Sequence, residues 1–189
     1  MSLFLTIDPG PAQSAYLLFD SCAAAYPLVA LRAGIESNEA LRLGLVCDKL
    51  LCVADLLVVE EVVSYGMAVG REVFETVFWS GRFVEAWGGL YRMMPRTEVK
   101  VHLCRSAKAT DATIRQALLD LYGGQKQALG VHNKKRQAPG PLYGITKDVW
   151  SCLALAVTYQ AHYETHNGIM PCQRCGWKEE DHDASKSRV

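Results

Sequence analysis

Three acidic residues of this 189-residue sequence stand at the ends of strongly apolar segments. Asp8 follows LFLTI, Glu60 follows LLVV, and Asp148 precedes VWSCLALAV. Carboxylates repel one another, so a cluster of them persists mainly where a cation lies between them, and Mg²⁺ prefers such oxygen ligands. Two divalent ions about 4 Å apart activate a water and stabilise the leaving oxygen when a phosphodiester is cleaved. Together the acids are typical of metal-dependent hydrolysis, whereas each alone is more typical of a turn cap, a strand-edge acid or a helix N-cap.

The elements that must position these acids follow from the spacing of apolar residues. LFLTIDPG and SAYLLFD predict a β-hairpin, and AAYPLVALRAG predicts a third antiparallel strand. A helix is expected over 36–55, then the buried central strand LLVVEEVV, then a helix over 71–91. Neighbouring strands of one sheet would place Asp8 and Glu60 side by side.

The second half of the chain is predicted to be mainly helical. EVKVHLC predicts a strand, TDATIRQALLDLYGG has the start and stop signals of a helix, and residues 125–144 have the polar, Gly- and Pro-rich composition of an exposed loop. KDVWSCLALAVTYQAHYE predicts the last long helix, which could bring Asp148 to the edge that carries the other two acids. The predicted fold class is therefore α/β, with a mixed sheet flanked by helices.

Composition limits the class of protein. Half of the residues are hydrophobic and 21% are charged, which fits one compact domain and excludes a disordered or fibrous chain. No segment has the roughly 18 apolar residues of a membrane span, and the first residues lack the features of a signal peptide, so no membrane partner is expected. Seven cysteines, an odd number and mostly in apolar runs, indicate a reducing compartment, and we expect a cytoplasmic location.

Charge is unevenly distributed along the chain, although the formal net charge is zero. Residues 1–95 carry six basic and eleven acidic side chains, residues 96–147 carry ten and three, and residues 148–189 carry four and six. A basic block of this kind is typical either of an ordinary solvated surface or of a segment that binds an anionic partner.

Four segments together resemble the RuvC family of Holliday junction resolvases, in particular its phage-encoded branch. They are LTIDPG, LLVVEEVVSYGMAVGREVFETVFWSGRF, KATDATIRQAL and PGPLYGITKDVWSCLALAVTY, and they span most of residues 3–159. The resemblance implies an RNase H-like fold, a homodimer, and cleavage of branched DNA with Mg²⁺ or Mn²⁺ held by acidic residues. IDPG alone is less specific, because actin-like kinases and chaperones have a similar first strand.

Carried over by position, the resemblance implies that Asp8, Glu60 and Asp148 are the catalytic and metal-binding acids. The chain departs from the family at Ser151, where the family commonly has a second aspartate one helical turn after the first. The occupancy of a second metal site depends on this position.

Two kinds of replacement for the missing aspartate remain open. Ser151 could hold a metal-bound water, or Asp111 or Glu61 could supply the charge. Glu61 is the poorer candidate, because successive residues of a strand point to opposite faces and Glu61 directly follows Glu60.

Under this resemblance, the basic block supplies contacts to DNA phosphates, which position a protein without reading the sequence. The candidates are Lys108, Arg115, Lys134, Lys135, Arg136 and Lys147, with Lys100, Arg105 and Lys126 also available. Arg115 lies in a predicted helix and could instead pair with an acid. In SYGMAVG, Tyr65 or Met67 could stack on opened base pairs as a wedge; alternatively, the glycines only turn the chain and Met67 is buried.

The segment 165–189 differs in character and predicts a small Cys/His module that follows a nuclease domain of residues 1–164. Cys172 and Cys175 form the CxxC of a tetrahedral Zn²⁺ site, and His182 and His166 are close enough to complete it, with His162 as an alternative ligand. An unliganded pair or a redox disulfide is the other interpretation, although the βαβ context of a redox motif is missing.

The expected function is cleavage of branched DNA by a metal-dependent endonuclease, chiefly at Holliday junctions, during recombination or DNA processing. A structure-selective nuclease for flaps or forks fits the same residues. Ser151 motivates a third interpretation, a DNA-binding module of this fold with weak catalysis. IDPG also suggests an actin-like phosphotransferase, but no second Gly-rich phosphate loop accompanies it.

Overall fold

A computed structural model describes residues 3–20, 28, 30–47, 51, 53–64, 66, 68–133 and 136–163 of the chain. The strands in this part of the chain are β1 (Leu3–Asp8), β2 (Gln13–Asp20), β3 (Ala30–Ser37), β4 (Leu56–Glu61), β5 (Tyr91–Pro95), β6 (Gly130–Asn133) and β7 (Arg136–Pro139). The helices are α1 (Asn38–Cys47), α2 (Arg71–Trp87), α3 (Arg96–Cys104), α4 (Asp111–Leu121), α5 (Gln125–Leu129) and α6 (Val149–Tyr163).

The first five strands form one mixed sheet in the order β3-β2-β1-β4-β5. β1 pairs antiparallel with β2 and parallel with β4, and β5 adds in parallel to β4. β1 and β4 have apolar residues at consecutive positions, because a central strand that is covered on both faces buries every side chain. The predicted α/β class, with a mixed sheet flanked by helices, is confirmed.

Helices cover both faces of this sheet. Alternate residues of β1 point to opposite faces, so Phe4 packs in the core that includes α3, α4 and α6, whereas Leu5 and Ile7 pack in the core that includes α1 and α2. Residues 152–157 of α6 are all buried. This helix is therefore fixed against the sheet, and with it the residues at its first turn.

The strand predicted for EVKVHLC is wrong, because residues 96–104 form α3. Val101 is 48% exposed, whereas Val99 is buried and Leu103 packs against the same core. In a strand, Val99, Val101 and Leu103 would all point to the same face. In α3, Val99 and Leu103 are four residues apart and share the buried face, whereas Val101 points to solvent. Pro95 ends β5 and immediately precedes α3, where its fixed φ is compatible with a helix start.

Residues 125–144 do not form the exposed loop that their composition predicts. They contain α5 and the antiparallel pair of β6 and β7. Ala128 and Leu142 are buried, and the Leu142 N–H donates to the Ala128 carbonyl at 2.8 Å. A Cβ at Gly140 would lie 2.3 Å from that same carbonyl oxygen. The glycine thus permits the close return of the chain against α5.

Three predicted boundaries also shift. The third strand is Ala30–Ser37 rather than 24–34, and the helix expected over 36–55 is α1, which ends at Cys47. The helix expected over 71–91 ends at Trp87, since Gly88 has a left-handed conformation with φ of 63° that ends α2. The chain that follows is then available for β5.

The predicted module of residues 165–189, with Cys172, Cys175, His182 and His166, lies outside the described residues. Within the part of the chain that the structure describes, no helix is both long enough and apolar enough to cross a membrane.

Candidate active site

Asp8 and Glu60 lie side by side at the ends of two central strands. The paired residues of β1 and β4 run from Phe4 opposite Leu56 to Ile7 opposite Val59, and the two acids come next on each strand. Because parallel strands end at the same edge of a sheet, both carboxyl groups lie at that edge. The register accounts for the expected proximity of the two residues.

Asp148 reaches the same edge from the start of α6. It directly precedes this helix, and its carbonyl accepts a hydrogen bond from the Ser151 N–H at 2.9 Å. The Thr6 hydroxyl of β1 donates to the Cys152 carbonyl at 3.1 Å, which ties the first turn of α6 to the sheet. Asp148 is exposed at the rim, yet its charge contributes to raising the pKa of Asp8.

The carboxyl group of Asp8 has a strongly shifted pKa. Burial raises this pKa to about 7, and the neighbouring Glu60 carboxylate acts in the same direction. A hydrogen bond from Ser151 and the charge of Arg96 both lower it. Burial disfavours the charged form of a carboxyl group, and a like charge nearby adds to the effect. The polar neighbours thus offset only part of the cost of ionising Asp8.

Arg96, which the sequence did not identify, lies in the middle of this acidic cluster. Its Nη1 is 2.8 and 3.1 Å from the two carboxylate oxygens of Glu60 and donates to Ser151 Oγ at 3.2 Å. Its Nη2 donates to Asp111 Oδ1 at 2.5 Å. Arg96 is the first residue of α3, where a basic side chain opposes the helix dipole. A basic residue at a helix start could have marked Arg96 as a residue with an acidic partner. The sequence did not show this, because residues 96–104 were predicted to be a strand.

The two acids that bind Arg96 differ in burial. The Glu60 side chain is 13% exposed and that of Asp111 is 82% exposed. Burial raises the pKa of Glu60, and the charge and hydrogen bonds of Arg96 oppose this rise, as does the charge of Lys100. Burial lowers the pKa of Arg96, but Glu60 and Asp111 more than reverse this effect, so the guanidinium stays charged.

Ser151 connects Arg96 to Asp8, since its hydroxyl accepts from the guanidinium and donates to the carboxylate. Of the two acids considered as replacements for an aspartate at this position, Asp111 directs its charge to Arg96, and Glu61 is exposed. The structure therefore brings an arginine to the cluster, and the carboxylate of Asp111 is bound to this arginine.

The oxygen donors of Asp8, Glu60 and Asp148 suit a hard divalent ion, but the Arg96 guanidinium holds Glu60 in this structure. Among the described residues, no three His, Cys, Asp or Glu side chains are placed to hold one ion together. Both oxygens of Glu60 face Arg96 instead. The Mg²⁺ or Mn²⁺ site at Asp8, Glu60 and Asp148 stays a prediction.

A cleft of about 270 Å³ opens beside the carboxylates, between α4 and the start of α6. Arg115 and Lys147 line it together with Asp148 and Trp150. The Arg115 guanidinium stacks on the Trp150 ring, 4.9 Å from its centroid, and forms no ion pair with any described acid. Arg115 is thus a stacked cation in this structure, and the alternative of an acid pair is not seen among the described residues.

Of the other predicted DNA-binding residues, two lie within the described part of the chain and four lie outside it. Lys108 is exposed between α3 and α4, and Arg136 begins β7. Tyr65, Met67, Lys134 and Lys135 lie outside the described residues. The wedge and the phosphate contacts of Lys134 and Lys135 stay predictions.

No protein-family model matches the sequence, and no curated protein matches it. Solved structures that share the fold include two of RuvC. Thermus thermophilus RuvC superposes with a TM-score of 0.53 over 83% of this chain and 92% of that chain, at 15% identity. T. thermophilus RuvC in complex with a Holliday junction substrate superposes with a TM-score of 0.52 over 84% and 92%, at 13% identity. At these identities the comparison shows that the chain has the fold of RuvC.

Proposed function

We propose that this protein is a metal-dependent endonuclease that hydrolyses phosphodiester bonds of branched DNA, with the Holliday junction as its main substrate. The observation that carries the proposal is the convergence of Asp8, Glu60 and Asp148 at one edge of a sheet with the RuvC fold. The Thermus thermophilus protein of that fold has been solved with a Holliday junction substrate. The proposed setting is recombination or DNA processing, and the motifs favour a phage-encoded protein.

The proposed cofactor is Mg²⁺ or Mn²⁺ at Asp8, Glu60 and Asp148. Such an ion would polarise the scissile phosphate and lower the pKa of a bound water. A cation at this edge would favour the ionised form of Asp8, whose pKa is raised by burial and by the neighbouring Glu60. A structural Zn²⁺ in the tail, at Cys172 and Cys175, is a separate proposal.

The basic residues beside the carboxylates are proposed to hold the DNA backbone. Arg115 is oriented by its stacking on Trp150, and Lys147 is exposed and lines the same cleft. A phosphate bound between them would lie next to Asp148 and hence next to the acidic cluster. Lys108 and Arg136 would contact further phosphates along the same DNA strand.

The active form is proposed to be a homodimer, because two identical sites related by a two-fold axis match the symmetric strands of a four-way junction. We propose that the exposed face of helix α2 forms the dimer interface. Phe74, Val77 and Phe78 lie on one face of this helix and are 65%, 49% and 61% exposed. Large apolar side chains grouped on a surface are typical of a protein interface.

A catalytically weak DNA-binding module is the second candidate function. Ser151 in place of a carboxylate, and the Arg96 pair with Glu60, both reduce the number of oxygen ligands available to a metal. A nuclease that prefers flaps or forks to four-way junctions would use the same site.

Cleavage of a synthetic four-way junction, with duplex and flap substrates beside it and with or without Mg²⁺, tests the proposal. We expect Asp8→Asn, Glu60→Gln and Asp148→Asn each to abolish cleavage while junction binding is kept or becomes tighter, since each removes a ligand and a negative charge that faces phosphates. Asp120→Asn is the matched control, because Asp120 lies on α4 and bonds to Gln116 rather than to the cluster.

The outcomes separate the candidates. Full activity in one of the three variants would remove that residue from the site. Tight junction binding with no Mg²⁺- or Mn²⁺-dependent cleavage by the unmodified protein would favour the DNA-binding module, and faster cleavage of flaps than of junctions would favour the other nuclease.

A further inference from the structure

One guanidinium nitrogen of Arg96 contacts both carboxylate oxygens of Glu60. Arg96 Nη1 lies within 3.1 Å of both Glu60 oxygens, so the whole carboxylate is turned to the arginine. The same nitrogen donates to Ser151, and the other terminal nitrogen binds Asp111. Three partners therefore fix the position of one cation beside Asp8.

These contacts are held where water screens them little. Glu60 is 13% exposed and Arg96 is 28% exposed, whereas Asp111 at 82% is open to solvent. A charge-assisted hydrogen bond is stronger at a half-buried position than at the surface. The Glu60 contact is therefore the strong end of the bridge, and Asp111 is an anchor that Arg96 can keep when it leaves Glu60.

We propose that Arg96 is a resident cation that competes with a divalent metal ion for Glu60. A metal ion can use Glu60 together with Asp8 and Asp148 only after the guanidinium has left the Glu60 carboxylate. Arg96 is thus a positioning residue, which acts on the site through Glu60. The inference rests on the proposed function, because it assumes that this edge binds a divalent ion.

Position 151 supports this assignment. An aspartate there would repel Asp8 and compete with Glu60 for the guanidinium, whereas the serine hydroxyl accepts from Arg96 and donates to Asp8. The hydroxyl therefore stabilises the arrangement in which the arginine faces Glu60. Because a hydroxyl can accept one hydrogen bond and donate another, Ser151 can bind both Arg96 and Asp8.

Mn²⁺ binding to the full chain, without DNA and followed by calorimetry, tests the proposal. Arg96→Gln keeps a polar side chain but removes the charge beside Glu60, and we expect it to bind Mn²⁺ about tenfold more tightly than the unmodified protein. Arg115→Gln is the matched control. It changes the net charge equally and lies in the same cleft, but Arg115 stacks on Trp150 and contacts none of the three acids, so we expect a change of less than about twofold.

Arg96→Lys provides a second measurement if Arg96→Gln does not fold, as judged by its thermal unfolding. One ammonium cannot reach Glu60, Ser151 and Asp111 in the geometry of the guanidinium fork, so we expect affinity for Mn²⁺ between those of the unmodified protein and Arg96→Gln.

Unchanged or weaker Mn²⁺ binding by folded Arg96→Gln would overturn the proposal. If the unmodified protein nevertheless binds Mn²⁺ and cleaves junctions with it, only the role of Arg96 is lost and the proposed function stands. If neither protein binds Mn²⁺ and neither cleaves DNA with it, the proposed metal dependence fails as well.

Discussion

The ionised carboxylate of Asp8 is unfavourable in the folded protein. Its side chain is held at the end of β1, with Glu60 one strand away and Asp148 at the rim. Burial is the largest cause of the rise in its pKa to about 7, and the Glu60 charge adds to it. Groups whose environment disfavours their working charge state are common at functional sites and reduce stability there.

The pH dependence of stability should reveal this residue. The folded pKa of Asp8 is about 7 against an ordinary value of 3.8, so between these values the folded state holds a proton that the unfolded state has lost. The free energy of unfolding therefore falls as pH rises through this range and levels off above pH 7. Asp8→Asn stays neutral, so we expect it to be more stable than the unmodified protein at pH 8, by at most about 4 kcal/mol.

Urea unfolding with a chelator present, at pH 5 and pH 8, measures this effect. The advantage of Asp8→Asn should be larger at pH 8 than at pH 5. An advantage of the same size at both values would mean that the asparagine stabilises by packing or hydrogen bonding, and that burial does not hold the Asp8 proton.

At the scale of residues, the sequence predicted the acids but not their counter-ion. Asp8 and Glu60 are one position beyond paired apolar segments, so the strand register alone makes them neighbours. Arg96 meets Glu60, Asp111 and Ser151, which are 36, 15 and 55 positions away in the chain. These partners lie on β4, α4 and α6, so no pattern in the sequence around Arg96 could predict its contacts.

At the scale of elements, α6 and α3 determine how the site is assembled. α6 is buried along its centre and tied to β1 through Thr6, so it holds Asp148 and Ser151 in place. α3 follows β5 directly and places Arg96 at the sheet edge. The site is therefore built from strand ends and helix starts, which are fixed by the core rather than by loops.

The exposed face of α2 should control the oligomeric state. Phe74→Glu places a charge on the most exposed of its three apolar side chains, so it should shift the proposed dimer to a monomer with little loss of stability. Sedimentation equilibrium over a range of protein concentrations measures the shift. Val101→Glu on α3 is the matched control, since Val101 is 48% exposed and lies on the other face of the sheet.

We expect the dissociation constant of the dimer to rise at least about tenfold for Phe74→Glu and to be unchanged for Val101→Glu. Equal effects of the two substitutions would exclude α2 as the interface. A monomeric unmodified protein at all concentrations would exclude the dimer itself.

The elements that the sequence predicted correctly are those with long or unambiguous apolar patterns. β1, β4 and α6 have dense apolar runs, and α4 has a Thr110 N-cap whose side chain accepts from the Thr113 N–H. α3 could not be predicted in this way, because Val99 and Leu103 satisfy a strand alternation as well as a helical spacing. β5 has only five residues and no alternation, so tertiary packing decides its conformation.

At the scale of the whole molecule, basic charge is concentrated in the chain segment that contains α3, α4 and α5. Residues 96–147, which contain α3, α4, α5 and the β6 and β7 pair, have ten basic and three acidic side chains. α1 and α2 lie on the opposite face of the sheet, within a part of the chain that is acidic overall. Arg115 and Lys147 of this basic segment line the cleft beside the acidic cluster, so a DNA strand bound there, as proposed, would lie beside the carboxylates.

The salt dependence of DNA binding tests this arrangement. Arg115→Gln combined with Lys147→Gln should weaken binding to junction and duplex alike, because phosphates are common to both. Each lost phosphate contact lowers the slope of log K against log salt by about 0.9 on duplex DNA, so the double variant should lose roughly 1.8. Arg42→Gln combined with Arg71→Gln is the matched control, since both arginines pair with a glutamate of their own helix in the other layer. The control should keep the slope of the unmodified protein. An equal fall in slope for both pairs would mean that DNA senses only the net charge, and the cleft between α4 and α6 would then not be the path of the DNA backbone.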